Sequence, residues 1–222
     1  MHALNVEITP HLLSTFETLF SVALPDETAR IKDVLSQLDT QLFKSYTKPH
    51  VQRIDATIEK GIFSPTWAPP APRGKSVADR DPSPYVFTAL LDLVIVHTEV
   101  STTAHSLTNR ILRSLFESTT HSLINTFRKL PSCSLEALMQ ATLDVEFMAQ
   151  TLSSYTTEKA SQVQTEIYQV LDQKTDNAAR VRLQEELGAL RGVLKRLREA
   201  TKVEFMCFRR VKKAGGGGDG GR

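Results

Sequence analysis

The sequence predicts an all-α protein, a stacked antiparallel helical bundle. Two observations lead there. Apolar residues recur at three- and four-residue steps through nearly every segment, and the breaks between segments carry residues that open or end helices. A third is the lack of any run alternating apolar and polar residues, the pattern of a half-buried strand. The stretch from Ser134 to Asp176 organises the chain. Its first half places Leu135, Leu138, Met139, Leu143, Val145, Phe147, Met148 and Leu152 on what reads as one broad buried face. Its second half opens at Thr156-Thr157-Glu158-Lys159 and continues the period through Ala160, Val163, Ile167, Val170 and Leu171. Neither half can hide its apolar stripe alone, so each requires neighbouring helices.

Taken in order, Thr9-Pro10 is a helix opener, with a capping hydroxyl followed by a proline where no amide is needed. That helix carries Leu12, Leu13, Phe16, Leu19 and Phe20 and stops near Leu24-Pro25. Asp26 and Glu27 start the next, on its positive end, with Ile31, Val34, Leu35, Leu38, Leu42 and Phe43 as its buried stripe. Val51, Ile54 and Ile58 keep the period to Gly61, so the helix is kinked or restarted at Lys48-Pro49. Six of the ten prolines lie between Gly61 and Pro84, where no periodicity survives, and Trp67 is expected to dock this loop on the bundle.

Helices resume at about Pro84. Leu90, Leu91, Val94 and Ile95 lead to Val100, and Leu107, Ile111, Leu112, Leu115, Phe116, Leu123, Ile124 and Phe127 form the next stripe, ending near Leu130-Pro131. Asn177 opens a final helix in which Leu183, Leu187, Leu190, Leu194 and Leu197 make a short heptad seam, suited to bundle packing. The chain therefore divides into N-terminal helices over 1–62, a Pro-rich loop or linker over 63–84, a helical bundle over 85–211 and a flexible Gly-rich tail over 212–222.

With 222 residues, 41% of them hydrophobic, the chain can bury a sizeable core. Net charge is only +2, but it is unevenly spread. From Ala189 onward ten Lys/Arg face three acids, about +7, leaving about −5 on the rest. Cys133 and Cys207 are too few for a disulfide framework or a four-cysteine zinc site and fit a reducing compartment. The N-terminus lacks the basic-then-apolar pattern of a secretory signal, and the run Ala89 to Val96, broken by Asp92, is too short to span a bilayer. These features read as cytosolic.

Catalytic chemistry finds no support. Gly74-Lys75-Ser76 resembles the end of a phosphate-binding loop, but position 69, where the first glycine belongs, is proline, and no strand precedes it. The six histidines show no metal-ligand spacing, and neither cysteine has an evident catalytic partner. Asp144 and Glu146, two apart on a helix, point to different faces and cannot work as an acid–base pair. No enzyme, cofactor or metal is expected. Pro69-Pro70-Ala71-Pro72-Arg73 has the form of a weak polyproline ligand, and Ser64-Pro65 and Ser83-Pro84 have the form of phosphosites. The basic end is the one feature with a binding chemistry. Arg209, Arg210, Lys212 and Lys213 follow Phe205 and Phe208, a pattern suited to an anionic membrane or an acidic partner. The competing interpretation is a solvated helix end whose cations complement the dipole. Nucleic acid is disfavoured, because no base-reading motif accompanies the charge.

Several long segments, in order, resemble one family. They are FETLFSVALPDETARIKDVLSQLDTQLFKSYTKPHVQRIDATIEKGI (Phe16 to Ile62), PSPYVFTALLDLVIVHTEV (Pro82 to Val100), LMQATLDVEFMAQTLSSYTTEKA (Leu138 to Ala160) and RLQEELGALRGVLKRLREATKVEFMCF (Arg182 to Phe208). The family is the exocyst subunit of the Sec-five type, and the resemblance covers roughly Leu4 to Arg210. It implies the C-terminal part of a helical-rod tethering subunit, a non-catalytic strut that helps hold secretory vesicles at the plasma membrane before SNARE-driven fusion. It implies other exocyst subunits as partners, with small GTPases of the Ral type engaged through an immunoglobulin-like domain outside this chain. It also implies a cytoplasmic location, peripheral to the plasma membrane at sites of polarised secretion. The alternative is an independent helical adaptor or a membrane-binding module using the basic C-terminal helix.

Overall fold

A computed structural model describes residues 25–68 and 79–209, together with Thr15 and Thr18. The expected helix over Leu12 to Phe20, apart from the helical Thr15 and Thr18, lies outside the described residues, as do the polyproline stretch and the Gly-rich tail. Among the described residues six α-helices follow: α1 Pro25–Ile62, α2 Pro84–Thr103, α3 Thr108–Lys129, α4 Leu135–Thr151, α5 Glu158–Gln173 and α6 Asn177–Ala200. Among the described residues the only β-type pairing is a single bridge, Cys133 to Thr175, which laces the α3–α4 connection to the α5–α6 connection.

The boundaries follow from local chemistry. Ser134, Thr157 and Asp176 each accept a hydrogen bond from the amide three residues on, capping α4, α5 and α6. Pro84 opens α2 at a position where its missing amide costs nothing. Pro131 follows the end of α3, which it could not have continued. At Pro49 the structure resolves the open choice against a restart, because α1 runs through it without a break.

The connections from α2 to α6 are short, so successive helices run antiparallel. Helices two apart then run parallel and lie side by side. Asp39 and Glu59 of α1 pair with Arg110 and Lys129 of α3. Glu117 and Arg128 of α3 meet Thr157, just ahead of α5, and Glu166 on it. Thus α1, α3 and α5 form one row and α2, α4 and α6 the other, with α3 and α4 central. A continuous apolar core runs between the rows from Ile54 to Phe208. The C-terminal turn folds back into it, where Phe205 and Phe208 stack on each other and meet Phe147 and Tyr155.

Three expectations about buried faces are corrected. The stripe of α1 is not core in its N-terminal half: Ile31, Val34, Leu38 and Leu42 are exposed, Val34 by 62%, and only Leu35 and Phe43 are half-buried. The cause is length. At about 57 Å, α1 is much longer than α3 at about 33 Å, so its first turns extend past their neighbour. On α2, Leu91 and Ile95 face solvent, while Tyr85, Val86, Ala89, Leu90, Leu93, Val96 and Val100 carry the packing. Finally, α4 is buried on nearly all sides rather than on one face, since from Ala137 to Val145 every residue is buried. By length and composition α2 also meets the requirement for crossing a membrane, beyond what the run Ala89 to Val96 suggested. Here one face of it packs into the apolar core, and its Asp92 is paired with Arg53.

Candidate functional site: a buried carboxylate latch and a basic cleft

The most constrained polar group is Asp144, in the middle of α4 and 1% exposed. Its Oδ1 accepts from the Ser83 amide at 2.8 Å and Gln140 Nε2 at 2.9 Å; its Oδ2 accepts from Ser83 Oγ at 2.6 Å and Trp67 Nε1 at 3.3 Å. No cation pairs with it among the described residues. Instead it sits at the positive end of α2, whose N-cap residue is Ser83. Burial pushes its carboxyl above the ordinary range, against the pull of hydrogen bonds from Ser83 and Gln140. The buried Tyr85 hydroxyl lies close by and is itself pushed well up, first by burial and then by the Asp144 charge.

The chemistry of this group is mechanical. Trp67 also meets the Phe127 ring at 6.1 Å, and Ala68 beside it takes a left-handed φ of 54°. On the other side Gln140 Nε2 reaches the Asp81 carbonyl, and Arg80 pairs with Glu136. Asp144 therefore fastens both ends of the Pro-rich segment to the central helix. Trp67 docks as expected, but the docking partner Asp144 was not foreseen. The Ser83 hydroxyl is buried in this latch and is not presented as a phosphosite. Glu146 has separate partners, accepting from Tyr168 Oη at 2.6 Å and from Gln150 Nε2 at 3.1 Å. Burial and the Glu146 charge both push the Tyr168 hydroxyl upward. Among the described residues no group of three or more His, Cys, Asp or Glu is placed to hold a metal.

Of the four basic residues singled out, only Arg209 is described; Arg210, Lys212 and Lys213 lie outside the described residues. Arg209 is not on a helix, since α6 ends at Ala200, and it follows the short 3-10 turn Met206–Phe208. The two phenylalanines ahead of it are core residues and present no edge to a membrane. Arg209 lines a cleft of about 500 Å³ with Arg198, Thr151, Ser153 and Ser154, over a floor of Phe205 and Phe208. An adjoining hollow of about 430 Å³ adds Arg191 and Lys195.

The fold and these sites define a class: an all-α stack whose buried polar groups fasten its own segments, with a basic cleft at the C-terminal ends of α4 and α6. The family comes from comparison. The family model for Exocyst complex component Sec5 matches residues 2–208, and the chain belongs to that family. It is 24% identical over 185 residues to mouse Exocyst complex component 2, covering 81% of this chain and 18% of that protein. It is likewise 24% identical over 176 residues to human Exocyst complex component 2, covering 78% of this chain and 18% of that one. The chain thus spans less than a fifth of the length of these relatives. No solved structure matches it.

Proposed function

We propose that this chain is a non-catalytic structural segment of an exocyst subunit, contributing reach and docking surface to a tether that holds secretory vesicles at the plasma membrane before SNARE-driven fusion. The family match over residues 2–208 carries this reading. Two features of the fold support it. Parallel rows of antiparallel helices can be extended by adding helices at either end, as solenoid stacks are. At the α1 end, Ile31, Leu35, Leu38 and Leu42 recur at steps of four, three and four, the spacing of a seam that receives another helix. The proposed occupant is a helix of another exocyst subunit. Small-GTPase binding is assigned to parts of the full-length protein outside this chain, and the working location is cytoplasmic, peripheral to the plasma membrane.

The test is affinity purification of the tagged chain from its own cells, beside a variant with Ile31, Val34, Leu38 and Leu42 changed to Asp or Asn. Exocyst subunits are expected with the parent chain and not with the variant, while both melt alike. A folded parent chain that brings down no exocyst subunit overturns the reading. The adaptor alternative would show itself by partners from outside that complex.

A further inference from the structure

We propose that the cleft between the C-terminal ends of α4 and α6 binds a compact ligand carrying two or more phosphate groups, of the inositol polyphosphate class. Arg191, Lys195 and Arg198 are separated by four and three residues, so α6 presents them on one face. Among the described residues none of the three has an acid partner. The one acid lining the cleft, Glu199, is held by Lys202 at 3.6 Å. Elsewhere on the surface Arg53, Arg128, Lys129 and Arg180 each have a carboxylate within 3.5 Å.

The two hollows meet at Gln150, Arg198 and Glu199, so Arg198 stands between Arg209 on one side and Arg191 with Lys195 on the other. That arrangement suits two anionic groups on one small scaffold better than a single anion. Guanidinium forks bind phosphate oxygens in pairs, and the hydroxyls of Ser153 and Ser154 supply further donors. A cleft of about 500 Å³ lies in the range of small-molecule sites. Its aromatic floor is packed into the core, so it offers no exposed ring for stacking nucleobases. The headgroup of a phosphoinositide in a bilayer and a free inositol phosphate share this chemistry. The inference stands apart from the tether reading, because it concerns the chain without any exocyst partner.

Calorimetric titration of the 222-residue chain with inositol trisphosphate tests it. Saturable binding is expected, weakened about tenfold or more when Lys195→Glu and Arg198→Glu are combined. The melting temperature should hold, because both side chains are exposed and unpaired. A second double variant, Lys60→Glu with Arg113→Glu, reverses two exposed charges away from the cleft and should bind as the parent does. Absence of saturable binding, or equal weakening in both double variants, overturns the site in favour of diffuse attraction. Flotation with phosphatidylcholine vesicles separates the sources. Capture by vesicles containing phosphatidylinositol bisphosphate, but not by charge-matched phosphatidylserine vesicles, assigns the lipid headgroup. Titration without flotation assigns the soluble ligand, and equal capture by both vesicles overturns the proposal.

Discussion

Replacing Asp144 should separate two substitutions that a purely apolar account of the bundle would treat alike. In Asp144→Ala all four acceptor contacts vanish. Gln140 retains the Asp81 carbonyl at 3.0 Å, and Trp67 is only half-buried, so their donors can be satisfied otherwise. The Ser83 amide and hydroxyl are left dry, and at roughly 1–2 kcal/mol each the loss is about 3 kcal/mol at neutral pH. For a chain of this length that lowers Tm by about 6–12 °C. Asp144→Asn keeps one carbonyl oxygen for the Ser83 amide and Gln140, while the Ser83 hydroxyl can rotate to accept from the new amide. Only the long Trp67 bond is lost, so the cost is about 1 kcal/mol.

The pH dependence has a definite sign. The folded carboxyl is raised, so the folded state holds its proton to higher pH than the unfolded chain. Its contribution to stability is therefore complete below the ordinary carboxylate range. It is lost as pH rises through the raised folded value and is constant above that. The gap between the parent and Asp144→Asn should shrink over that acidic window. Urea unfolding followed by far-UV circular dichroism gives the free energies, and Trp67, the only tryptophan, reports the latch by fluorescence. Equal destabilisation by Ala and Asn, or a gap that does not change with pH, would refute the reasoning.

Further outcomes follow from packing. Gly61→Ala would place a Cβ within 2.4 Å of Tyr85 Cβ, so despite the better helix propensity of alanine it should cost about 1–3 kcal/mol in urea unfolding. Phe147→Ala, in the fully enclosed middle of α4, should cost about 3–5 kcal/mol, whereas Ile95→Ala at 59% exposure should stay within about 0.5 kcal/mol. Breaking the exposed Arg128–Glu166 pair by Glu166→Gln should shift stability by less than about 1 kcal/mol, and less still in added salt.

Fold class was legible because helical spacing and caps act within a few residues. Thr157 and the start of α6 at Asn177 read correctly from local chemistry alone. Which side of a helix is covered depends on neighbours far away in sequence. The period at Ile31, Val34 and Leu38 marks an apolar face but not whether a partner helix is long enough to reach it. The same limit hid α4, since residues buried all round leave no polar face to set a stripe against. The sequence excludes Asp144 and Glu146 as an acid–base pair but does not show the latch, because Ser83 and Trp67, which donate to Asp144, lie 61 and 77 positions away. One signal was available: an acid flanked by Leu143 and Val145 within an apolar stretch calls for buried donors. The basic cleft was half visible. Charge bias pointed to the right end, but the spacing along α6 mattered more than the cluster beyond Phe208.

The central proposal is that α1 offers an exposed apolar seam to another helix of the exocyst. Hydrogen–deuterium exchange of the chain, alone and with copurified exocyst subunits, addresses it most directly. Alone, the amides of residues 29–45 should exchange far faster than those of α3 and α4, because little tertiary packing supports that half of α1. With partners present they should slow by at least an order of magnitude while the interior helices stay unchanged. Slow exchange there in the free chain, or protection that appears only on other faces, would contradict the claim.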